Sequence, residues 1–140
     1  MKKATVLVLA LVLMGCADPY GACVKGGADI ASAIGGGYNT VVQLQQQGTI
    51  DAAETVNVAG YLKFANDADK VFLDCAEAAH TGGKAGAFTA CVNSFATQIN
   101  SPQEAALVHV ANPAAQATLN SILKGITTGV STLATALGGA

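Results

Sequence analysis

From residue 28 onward, apolar residues recur at alternating steps of four and three, and no stretch keeps the period-two alternation of a half-buried strand. Ile30, Ile34, Gly37, Val41 and Leu44 form one such series. Tyr61, Ala65, Ala68, Phe72, Cys75 and Ala79 form a second, flanked by Val58 and Leu62. Phe88, Val92, Phe95 and Ile99 form a third, with Cys91 beside it, and Leu119, Leu123, Ile126, Val130, Leu133 and Leu137 a fourth. Each series places its members on one side of a helix, the geometry of a helix packed in a bundle. The expected fold is therefore all-α: an antiparallel bundle of about four helices with a short extra helix, at 102–111.

Local start and stop signals divide the series. Asp51-Ala52-Ala53-Glu54 reads as a capping box opening the second helix, after Gly48 and Thr49 close the first. Thr81-Gly82-Gly83-Lys84 is the turn after the second. Ser101-Pro102-Gln103-Glu104 opens the short helix with Ser at the cap and Pro at the first position. Asn112-Pro113 ends it and begins the last, which stops at Gly138-Gly139. Gly35-Gly36-Gly37 weakens the first helix, where a break is expected, because glycine costs about 1 kcal/mol relative to alanine in a helix interior.

Composition narrows the function. Charged residues are 11% of the chain against a usual ~25%, there is no arginine, and aromatics are 5%. A nucleic-acid binder needs a basic face, so no nucleic-acid partner is expected. At 140 residues there is room for one core, not for two lobes around a cleft.

The N-terminus carries an address. Lys2 and Lys3 precede an apolar run from Ala4 to Leu13, too short to span a bilayer and suited to a secretory signal. Leu13-Met14-Gly15-Cys16 follows directly and resembles the lipobox of bacterial lipoproteins. That resemblance covers the first sixteen residues and implies that Cys16 receives a diacylglyceryl group, that residues 1–15 are removed, and that the new terminus is acylated. Several acyl chains give stable anchoring, since each buried CH₂ contributes ~0.8 kcal/mol. Ala17 after the cysteine implies, by resemblance to enterobacterial sorting, the outer membrane, at its periplasmic face or the cell surface. Gly15-Cys16-Ala17 also fits ordinary signal cleavage after Ala17. The expected organisation is a signal peptide at 1–15, a lipidated tether at 16–27 that includes the glycine-rich Asp18 to Gly27, and a bundle domain at 28–140. Without residues 1–15 the chain keeps five lysines against nine carboxylates, so the acyl chains, not basic residues, would hold it to the membrane.

Export places the four cysteines where disulfides form. Cys75 and Cys91 stand equally far on either side of Gly83, so two helices folded back at that turn bring them level, and a Cys75–Cys91 bridge is expected. Cys23 is left odd, either unpaired or bridging two copies in a dimer.

Other chemistry is thin. There is no Gly-x-Ser-x-Gly elbow, His-Glu-x-x-His, Cys-x-x-Cys or phosphate loop, so no enzyme, cofactor or metal site is expected. His80 reads as a partner for the end of the second helix, and His109 has no nearby second ligand. Asp67, Asp69, Asp74 and Glu77 read as a solvated helix face, although Asn57, Asn66 and Asp69 could line a polar spot against the core. The uncharged segment from Gly125 reads as a packed helix, with membrane insertion as its alternative. Together these lead to a non-enzymatic, lipid-anchored envelope protein acting through contact with a protein partner. The alternatives are a carrier of an apolar ligand and a membrane-active protein using the last helix.

Overall fold

A computed structural model describes residues 18–100 and 110–138, and among them every regular element is helical. The helices are α1 (Pro19–Gln46), α2 (Ala52–Thr81), α3 (Ala87–Ile99) and α4 (Pro113–Ala136).

Their ends follow from local chemistry. Asp51 accepts from the Glu54 amide at 2.8 Å, and the Asp51 amide donates back to Glu54 Oε2 at 2.9 Å, which satisfies two otherwise orphaned donors of α2. The other carboxylate oxygen of Glu54 accepts from the Ala111 amide at 2.6 Å, tying the start of α2 to the approach to α4. Asn112 caps α4 by accepting from the amides of Ala114 and Ala115, with Pro113 filling the first position. Gly48 and Gly83 adopt φ of 67° and 64°, so that Thr49 and Lys84 can donate back to Leu44 O and Ala79 O and close α1 and α2.

The four helices close a ring in which α1 and α3 each pack on α2 and α4. Neighbours are antiparallel. Gly27 faces Leu73 while Gly37 faces Leu62 across the α1–α2 seam, and Phe72 meets Phe95 across the α2–α3 seam. Gly26 faces Leu133 and Gly37 also faces Ile122 on α4, and Thr89 near the start of α3 donates to Leu137 O at the end of α4. The core holds Phe72, Phe95, Ile34, Leu62, Ile99 and Ile126, all nearly without exposed surface. Each such side chain contributes roughly 1.5–3 kcal/mol by leaving water.

The bundle and its stripes agree with the expectation, and four details do not. The part of the expected tether from Pro19 to Gly27 is helical, because the stripe continues upstream: Tyr20, Cys23 and Gly27 step by three and four into Ile30. Gly26 and Gly27 are there for close approach. A Cβ at Gly27 would lie 2.6 Å from Leu73 Cδ2, and one at Gly26 would lie 2.8 Å from Leu133 Cδ1. No break occurs at Gly35-Gly36-Gly37, since Gly37 is held between Leu62 and Ile122. The inward line of α2 runs Phe72, Ala76, Ala79, with Cys75 displaced to the exposed rim. Of the expected extra helix, Val110 and Ala111 are not helical, and the rest lies outside the described residues.

Candidate functional site at the disulfide end of the bundle

The first turns of α1, the end of α2, the start of α3 and the end of α4 meet at one end of the bundle, and most of the chemically distinctive side chains gather there. Cys75 and Cys91 form a disulfide with their Cα atoms 5.8 Å apart. Ala76 and Ala79, buried against the neighbouring helices, keep α2 slim enough for close approach at this level. The bridge closes a loop of about 15 residues, for which the chain-entropy relation gives ~3 kcal/mol. Cys91 is buried while Cys75 is exposed, so the bond lies at the edge of the α2–α3 seam.

One turn further out, Tyr20 stacks on His80 with ring centroids 4.1 Å apart and planes within 9°, and it also meets Phe88 at 6.5 Å. This contact fastens the first turn of α1 to the end of α2 and the start of α3. His80 is exposed and stands in the last turn of α2, as the sequence indicated, but its ring is engaged by an aromatic from a different helix.

Cys23 is unpaired and has no exposed surface. Burial, with the Asp18 carboxylate adding to it, pushes its thiol up to about 11. Since the thiolate is the reactive form, Cys23 is a poor nucleophile at neutral pH. The intermolecular bridge considered for Cys23 would require the first turns of α1 to leave the bundle. Cys16, the expected lipidation site, and His109 lie outside the described residues.

Halfway along α2 the acidic stretch divides. Asp67 pairs with Lys63 at 2.6 Å on the surface, and Asp74 and Glu77 are exposed. Asp69 departs from the solvated-face reading, with 2% of its surface exposed. Its Oδ1 has no hydrogen-bond partner among the described residues, and burial pushes its carboxyl up to about 6. Seven residues after Leu62 and four before Leu73, it shares their face of α2 by helical register, and those two side chains fill the space beside Gly37 and Gly27. The missed signal was a second reading of the same spacing: Val58, Leu62, Ala65, Asp69, Phe72, Ala76 and Ala79 also step by four and three. Asn57 is exposed and Asn66 half-buried, so the polar spot against the core is Asp69.

Among the described residues, no three His, Cys, Asp or Glu side chains converge as metal ligands, and no helix is long and apolar enough to cross a membrane. The helical part of the uncharged C-terminal segment packs in the bundle through Ile126, Val130 and Leu133. Val24, Val42, Val56 and Val71 are exposed singly along α1 and α2. No family model, curated protein or solved structure matches the chain.

Proposed function

We propose that the chain is a non-enzymatic lipoprotein of the bacterial cell envelope, held by acyl chains on Cys16 and acting through contact of its helical domain with a protein partner in the periplasm or at the cell surface. The observation that carries this reading is the apolar run from Ala4 to Leu13 followed directly by Leu13-Met14-Gly15-Cys16. Two features support it. The Cys75–Cys91 disulfide suits an oxidising compartment outside the cytoplasm. The acidic balance after residue 15 leaves covalent lipid as the natural means of membrane attachment, at the outer membrane by the residue that follows Cys16.

The test is the intact mass of the protein extracted from cell membranes, before and after reduction. The expected species is residues 16–140 plus acyl chains, heavier by two hydrogens once the bridge is reduced. A soluble species beginning at Asp18 overturns the reading. In the expected case, cross-linking in intact cells should capture a specific envelope protein with wild type, and lose it when Cys16→Ser releases the domain from the membrane.

A further inference from the structure

The first turns of α1 are built into the bundle. Tyr20 stacks on His80, Cys23 is fully covered, and Gly26 and Gly27 lie against Leu133 and Leu73. Three peptide units separate Cys16 from Pro19, a reach of at most ~11 Å even when fully extended. A group attached at Cys16 therefore stays beside one particular end of the domain. A flexible linker of roughly twenty residues would instead span about 25 Å and let the domain tumble.

We propose that the disulfide end of the bundle rests on the phospholipid surface, with the helix axes leading away from it. The inference rests on the lipid-anchor reading and adds an orientation to it. The surface at this end is compatible with headgroups. The α2–α3 turn, Gly82-Gly83-Lys84-Ala85-Gly86, is exposed and small, with Lys84 as its one charge, and Asp18 at the start of α1 and exposed Glu77 one turn before the end of α2 are its acidic neighbours. Tyr20, partly buried beside His80, supplies the amphipathic aromatic that favours the membrane interface. Among the described residues, the exposed side chains at the opposite end include Gln45, Gln46, Gln47, Asp51 and Asn100. At 1.5 Å per residue, the 28 residues of α1 place that end about 42 Å farther out. The far end and the upper flanks are then the surfaces offered to a partner.

The test uses the full-length protein, extracted from membranes and shown by mass to be acylated, in phosphatidylethanolamine–phosphatidylglycerol vesicles carrying a headgroup-bound nitroxide quencher. A fluorophore is attached at Ala85→Cys or, in a second preparation, at Gln46→Cys, both exposed positions. Covered Cys23 and the bridged pair stay unlabelled. Several-fold stronger quenching at position 85 than at 46 is expected, and a flexible Gly/Ser insertion between Ala17 and Asp18 should remove the difference. Equal quenching, or stronger quenching at 46, in acylated protein overturns the orientation while leaving the anchor standing. A mass without acyl chains overturns the anchor and the orientation together.

Discussion

Helix α2 is sealed to α3 and to α1 by opposite means. Toward α3 it presents bulk and a covalent bond: Phe72 stacks on Phe95 with centroids 5.1 Å apart, and Cys75 is bridged to Cys91. Toward α1 it presents Leu62 and Leu73 to glycines, and Asp69, on the same helical face at a level between theirs, is buried. The first seam gains stability from large buried surface and a constrained unfolded chain. The second brings backbones close and encloses a polar group that water would have solvated. One helix therefore carries a strongly held face and a face that contains its own destabilising element.

The largest effect should come from breaking the aromatic seam. Phe72→Ala should lower stability by about 3–5 kcal/mol, a large share of the 5–15 kcal/mol typical of a domain, read from the urea midpoint. A loss below about 1 kcal/mol would mean that the Phe72–Phe95 contact is not what holds α3. The double variant Cys75→Ser, Cys91→Ser should lose about 3 kcal/mol on the same scale, and reduction of wild type should reproduce it.

The α1 seam should respond to pH. The carboxyl of Asp69 titrates near 6 in the fold, against 3.8 for an ordinary aspartate, so the folded state holds its proton more tightly than the unfolded one. This contribution favours the fold most below pH ~4 and is lost as pH rises through about 6. At about 1.4 kcal/mol per unit, up to roughly 3 kcal/mol is at stake. Asp69→Asn should therefore be more stable than wild type at pH 7.5 and lose that advantage near pH 4 in paired urea titrations. Parallel curves for the two proteins across that range would remove the enclosed carboxylate from the account.

The smallest contrast separates two glycines of α1. Gly35 has open space where a Cβ would go, so Gly35→Ala should gain up to about 1 kcal/mol from reduced freedom of the unfolded chain. At Gly37 a Cβ would meet Leu62 Cδ2 at 3.0 Å and Ile122 Cγ2 at 3.2 Å, so Gly37→Ala should gain less or lose stability. Thermal midpoints of the two variants compare them directly, and equal gains would show that the seam yields easily.

Much of this architecture was legible without coordinates. The alternating four and three steps of α3 and α4, the Asp51–Glu54 box, the Asn112–Pro113 boundary and the Cys75–Cys91 pairing around Gly83 all depend on short-range geometry or on one tight turn. The misreadings share a cause. Glycine weakens an isolated helix, so Gly26, Gly27 and Gly35 to Gly37 suggested a tether and a break, whereas three of these five residues meet side chains of α2 or α4. Likewise, an acidic residue on a helix is ordinarily solvated, and Asp69 lies in an acidic stretch.

Spacing and turn residues by themselves thus determined that the chain forms helices, where α2 and α4 begin, and which cysteines can meet, because those properties act over a few residues or across one tight turn. Tertiary structure chose among readings that the same spacing allowed: that Pro19 to Gly27 joins the bundle with Cys23 covered, that Cys75 lies at the rim and that Asp69 is buried. Those outcomes turn on which neighbouring helix fills the space beside a residue, and a glycine that weakens a lone helix becomes the place where two helices can come closest.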